Sequence, residues 1–162
     1  DNTVLVVELI NHYLGTKQVA AAKSYLEIAI QNDPNNPTYH FALGTIYDSN
    51  DKNYDKAIEC YKKAIELKGD VFDYQYNLGA LYFNQAADIY NQANNESDNK
   101  KYQALKAKGD EKMKLAVPYL EKAHELNPKD LPTMESLKNG YYRLQMNDKY
   151  DAMKKKIDEA KK

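Results

Sequence analysis

Three histidines, His12, His40 and His124, and a single cysteine, Cys60, are the side chains best suited to ligate a metal or act as a base or nucleophile. Their spacing supports neither role. No HExxH, no cysteine pair and no Asp-rich calcium loop is present. A lone cysteine excludes an internal disulfide and leaves a zinc site without its other ligands. The six glycines are isolated from one another, two of them in the pairs Leu43-Gly44 and Leu78-Gly79, and none builds a phosphate-cradling loop. Aspartates and glutamates follow a solvated-face pattern, and nothing brings two specific ones together as an acid and base. The sequon Asn95-Glu96-Ser97 is a three-residue match of the kind that arises by chance. His40 reads as a partly buried packing residue and Cys60 as a small one. No enzyme is expected, and no cofactor or metal. The chemistry left is binding.

The chain has 162 residues, 43% hydrophobic and 29% charged, a globular balance long enough for one domain or several small repeats. A formal net charge of −1 gives no electrostatic reason to expect nucleic acid or an anionic membrane as partner. No apolar run approaches a membrane span, so no membrane insertion is expected. The chain opens at Asp1 without Met, as a processed or truncated product would, and a C-terminal piece of a longer chain is one reading of it.

Binding residues must be positioned by helices, because apolar residues recur at helical spacing throughout. The clearest stretch is 37–70. One helix carries Leu43-Gly44 and Tyr47; a polar turn holds Ser49, Asn50, Asp51 and Asn53; a second helix carries Ala57, Tyr61 and Ala64. Each helix has one apolar face, and the pair cannot bury both alone. Gly44 and Ala57 suit a close crossing. In residues 3–36, Leu9, Ile10 and Tyr13, then Ala22, Leu26 and Ala29, occupy the same places, and Pro34 ends the second helix. The opening VLVVELI fits either a terminal helix with a wide buried face or one that packed on a preceding repeat.

The third repeat, 71–130, starts on time with Leu78-Gly79 and Tyr82, but its second helix is late. Ala116, Leu120 and Ala123 follow only after about 25 additional residues. The added segment, 84–113, keeps helical periodicity on both sides of the polar turn from Asn94 to Asn99. Both helices of this pair are therefore expected to be lengthened, by about 12 residues each, into an antiparallel hairpin reaching roughly 18 Å further. Gly109 would admit a close partner, and Pro118 would kink the return helix. The fourth repeat, 131–162, pairs Leu137 and Tyr141 with a capping helix. There Met153, Ile157 and Ala160 stand for Ala57, Tyr61 and Ala64, and lysines fill the other face.

The order Leu-Gly, Tyr, Ala, bulky residue, Ala at this period resembles the tetratricopeptide (TPR) repeat, with His40 where that motif usually has Trp. The resemblance covers nearly the whole chain. It implies an all-α solenoid of about four helix pairs forming one domain, and a concave groove lined by the first helix of each repeat. By that resemblance the groove would take Asn11, Phe41 and Thr45 from the first two repeats and Asp73, Tyr76, Asn77, Phe83 and Asn84 from the third. The fourth would give Asn139, Tyr142 and Arg143. Rings supply contact area and amides pair with a peptide backbone, so the implied ligand is a peptide or protein segment. The alternative is assembly or self-association through the hairpin or the apolar first helix. A chaperone's terminal carboxylate is not expected, because the corresponding places hold Val7, Asn11, Ala42, Asp73 and Asn77, and both cations are lost. The tail from Leu137 also resembles the end of bacterial TPR proteins, many of them exported. That likeness implies the cell envelope or periplasm, with the cytoplasm as the other possibility.

Overall fold

The computed structural model describes residues 2–161, apart from the side chains of Asn2, Val7, Asn11 and Leu14. Among these residues there is no strand. Eight helices run α1 (Asn2–Gly15), α2 (Val19–Asn32), α3 (Pro37–Ser49), α4 (Tyr54–Leu67), α5 (Phe72–Asn94), α6 (Asn99–Leu126), α7 (Leu131–Arg143) and α8 (Asn147–Ala160). They form four consecutive antiparallel-type pairs of the α-solenoid class. The starts are set by short polar side chains. Asn36 accepts from the Thr38 N–H, Asn53 from Lys56, Asp98 from Lys101 and Asp130 from Thr133. Pro37 and Pro132 occupy first-turn positions, where a missing N–H is harmless. The turns of the first, second and fourth pairs each place one residue in the left-handed region, Lys17, Lys52 and Gln145.

The chain divides into two compact units, 1–70 and 71–162, each of two helix pairs. In the first unit Tyr61 is fully buried, and its ring lies where a side chain on Gly44 would be, 2.7 Å from the Cβ position. The crossing of α3 and α4 is therefore glycine against tyrosine, with Ala57 buried beside it. His40 is half-buried and its Nε2 lies 2.8 Å from the Pro34 carbonyl oxygen, tying α3 to the turn before it. In α1, Ile10 is buried as expected, but Leu9 is 37% exposed, and Val4 and Leu5 are 53% and 65% exposed. Of the described side chains of VLVVELI, Ile10 is buried and Val6 half-buried, while Val4, Leu5 and Leu9 face solvent.

In the second unit α5 has 23 residues and α6 has 28, against 13 and 14 in α3 and α4. The lengthened pair is zipped along its core face by Leu81, Ala86, Ile89, Tyr90 and Ala93 against Gly109, Met113, Ala116 and Leu120, all buried. Helix α6 runs continuously through Pro118, which faces solvent. Met113 is only 1% exposed, and its sulfur lies 3.3 Å from the Cβ position of Gly140 in α7. The base of the hairpin is thus part of this unit's core. In α8, Met153 and Ile157 are buried while Ala160 is exposed. Met153 and Ile157 thus take the places of Ala57 and Tyr61, while Ala160, the residue at which α8 ends, is not buried as Ala64 is.

Gly44→Leu and Ala57→Leu are each expected to destabilise by about 1–3 kcal/mol, the usual cost of overpacking. Gly15→Ala, where an added Cβ meets nothing within 4 Å, should stay within about 0.5 kcal/mol of the parent. Urea unfolding compares the three. A Gly44→Leu midpoint equal to the parent's would show that the crossing has room.

Candidate functional site

The expected groove residues fall into two groups. In the first unit Phe41 is half-buried with its ring tilted against Tyr61 at 5.6 Å between centroids. The Thr45 hydroxyl donates to the Phe41 carbonyl at 3.1 Å. Both are engaged in packing α3. The side chain of Asn11 lies outside the described residues.

In the second unit Tyr76 stacks on Phe72 at 5.5 Å, Asn77 donates its amide to the Asp73 carbonyl at 2.8 Å, and Asp73 and Asn84 are exposed. Further along α5 the arrangement changes. Phe83, Asn139, Tyr142 and Arg143 line one concavity of about 380 Å³ between α5 and α7. Ala87, Tyr90, Asn91 and Met113 complete its wall. A second hollow of about 290 Å³ shares Tyr90, Tyr142 and Arg143 with it and reaches α6 and the α7–α8 turn. Ala87, Tyr90 and Asn91 were not among the sequence candidates, because the groove was ended at Asn84 where the insertion began. The signal was there to read: Phe83, Ala87, Tyr90 and Asn94 follow Tyr76 and Ala80 at three- and four-residue steps, a second stripe on the same helix.

Tyr90 is the hinge between the two hollows. Its ring fills the space of a missing side chain on Gly109, 2.6 Å from that Cβ position, and is 6% exposed. Its hydroxyl donates to Asp110 at 2.7 Å, and Lys106 Nζ pairs with the other oxygen of Asp110 at 2.9 Å. The Arg143 guanidinium sits over the same ring at 4.8 Å. Burial pushes the Tyr90 phenol well above its ordinary range, and the Asp110 carboxylate adds to this. The carboxyl of Asp110 is itself raised by burial, but its bonds to Tyr90 and Lys106 outweigh that and hold it below the usual carboxylate range. Tyr61 and Tyr141 are shifted upward in the same direction, chiefly by burial, with Asp48 and Glu121 as hydroxyl partners.

The residues first considered for chemistry are not assembled. Among the described residues no group of three or more His, Cys, Asp or Glu could hold a metal ion. Burial pushes the Cys60 thiol up to about 11, which suits a packing role. No described helix is long and apolar enough to cross a membrane.

Three buried phenols raised above their unfolded value of about 10 set an alkaline limit. Their contribution is fully present below about pH 10 and is lost as pH rises through the folded values, since the unfolded chain then releases protons more readily. Urea midpoints should therefore fall above about pH 10, and Tyr90→Phe and Tyr141→Phe should each shallow that fall. An unchanged slope in both variants would remove these phenols from the account.

Residues 52–86 match a family described as "TPR repeat". Among curated protein sequences none matches the chain. Among solved structures, MamA shares the fold with a TM-score of 0.69 at 18% identity, over 96% of this chain and 70% of its own. YrrB, described as "a TPR protein with an unusual peptide-binding site", has a TM-score of 0.73 at 19% identity, over 96% of this chain and 66% of its own. A monomeric mutant of IFIT1 with Gppp-AAAA has a TM-score of 0.69 at 21% identity, and this chain spans 32% of it. At such identities the likeness is one of fold.

Proposed function

We propose that this chain, whose residues 52–86 match the TPR repeat and whose fold is that of TPR proteins, is a non-enzymatic scaffold holding a peptide or protein segment between α5 and α7. The observation that carries this reading is the concavity walled by Phe83, Asn139, Tyr142 and Arg143. It offers two rings, an amide and a cation on two helices of one unit. Rings contribute area at little entropic cost and amides pair with an extended backbone. Tyr142 is 65% exposed, an unusual position for so large a ring. The peptide-binding site of YrrB belongs to that protein, but it makes a peptide the natural ligand class to test on this fold.

Assembly is the second reading, and one observation favours it. Leu9 of α1 and Tyr25 and Ile28 of α2 are exposed and line one hollow between these helices, and Leu5, one turn before Leu9, is exposed as well. Sedimentation of the parent beside Leu5→Glu separates the readings: a species that dissociates in the variant supports self-association through this face.

The first reading is tested by probing an array of short end-capped peptides with the labelled full chain. Phe83→Ala combined with Tyr142→Ala should weaken capture by about 2 kcal/mol or more, as loss of central aromatic anchors does. Phe41→Ala, whose ring packs within its own helix pair, should leave capture unchanged. Circular dichroism confirms that each variant is folded. Capture that survives the double substitution would place the binding surface elsewhere.

A further inference from the structure

At the α7–α8 end of the concavity stands an arginine without an acidic partner. Arg143 is the last residue of α7 and is exposed. Among the described residues, no ion pair involves it. Its support is the Tyr90 ring beneath, and that ring is fixed. Gly109 leaves it no backbone clearance, and Asp110 holds its hydroxyl. A guanidinium held 4.8 Å from the centre of a fixed ring is restricted in position, and its planar fork of N–H donors, on an exposed residue, matches a carboxylate.

Charge around the smaller hollow is unbalanced in one direction. Its lining carries three charged groups, Lys106, Asp110 and Arg143. Lys106 and Asp110 pair with each other at 2.9 Å, which leaves the charge of Arg143. Neutral donors line the hollow too: Asn94 from α5, Gln145 from the α7–α8 turn and Asn147 from the start of α8. That turn is held in shape, with the Gln145 N–H donating to Tyr142 at 3.2 Å and the Met146 N–H to Tyr141 at 2.9 Å. Tyr102 and Tyr142 flank the opening. One uncompensated cation among amides and rings fits a single anionic group attached to a chain of peptide bonds. It does not fit a polyanion, whose affinity draws on many phosphate contacts at once.

We propose that this hollow is the subsite for an acidic residue of the bound segment, an internal Asp or Glu whose carboxylate is taken by Arg143 while its backbone meets the amides of Asn94, Gln145 and Asn147. The inference rests on the peptide-binding reading and adds its specificity. Lys106 and Asp110 act here as positioning residues, keeping Tyr90, and through it the guanidinium, in place.

The test uses the full chain and matched peptides. Each pair is identical except that Asp or Glu in one member is Asn or Gln in the other, with both ends capped; a second set leaves the C-terminus free. The acidic members should bind the parent about tenfold or more tightly than their amide partners, the ratio that a hydrogen-bonded charge supplies. Arg143→Gln should bind both members and show no preference, and Arg143→Lys should recover part of it. Equal binding of acid and amide members by the parent, or a preference that persists in Arg143→Gln, overturns the proposal while leaving peptide binding intact. A preference shown only by uncapped peptides overturns it in favour of a terminal carboxylate. Tighter capture of a single-stranded RNA oligonucleotide than of any peptide, or no peptide capture at all, overturns both this proposal and the reading it rests on.

Discussion

A large side chain set against a glycine on the facing helix is the contact on which these helix pairs depend. Tyr61 meets Gly44, Leu120 meets Gly79 and Tyr90 meets Gly109. In each case an added Cβ would fall within 3 Å of the partner's atoms, so the large group lies on bare backbone. Such closeness brings two helices near enough for their apolar stripes to exclude water without a void, and voids forfeit dispersion contacts outright. Gly140 uses the same device between pairs, receiving Met113 and Val117 of α6. That contact draws α7 against the lengthened hairpin and thereby sets the depth of the concavity beside it.

Tyrosine does most of the large-residue work, with 15 in the chain and no tryptophan. The phenol brings a polar end that must be satisfied when buried. Tyr61, Tyr90 and Tyr141 each donate to a carboxylate on the neighbouring helix or turn, at 3.4, 2.7 and 2.8 Å. These bonds convert a greasy contact into one with a fixed ring orientation. At Tyr90 the orientation has a consequence at the surface, because the exposed Arg143 sits over that same ring. The buried network and the exposed cation are two sides of one side chain.

Most of the architecture was legible because it depends on local period. The landmarks Leu43-Gly44-Tyr47 and Leu78-Gly79-Tyr82 fix two repeats, and the equal displacement of 59 residues from Tyr82 to Tyr141 and from Ala64 to Ala123 places one paired insertion between Tyr82 and Ala116. What could not be read depends on contacts between elements distant in sequence. Gly140 stands outside the Leu-Gly pairs, so nothing in the period marks it as the place where α6 enters α7. The second stripe of α5 was hidden by the boundary drawn at Asn84, although its own spacing is regular. In α8 the register read from Met153 and Ile157 holds, and only Ala160, at the helix end, lies in water. Of the groove candidates, those of α7 and Phe83 share a concavity, while Phe41 and Thr45 serve their own helix.

Lengthening the third pair changes what the following pair can do. Helices α7 and α8 are of ordinary length, 13 and 14 residues, and their turn would otherwise face open solvent. With α5 continued to Asn94 and α6 beginning at Asn99, residues of both long helices stand opposite that turn. A surface that would have been a shallow face between first helices gains an end wall. The wall costs little, since Ala93 and Gly109 are buried within the hairpin and the added turns zip against one another. An extended ligand lying along α5 would therefore meet, past Phe83, a stop containing one oriented cation. Register along a groove of repeated helices is otherwise poorly defined, because each repeat offers similar contacts. A single charge at a fixed place supplies that register, since sliding by one residue would leave the cation facing the wrong side chain.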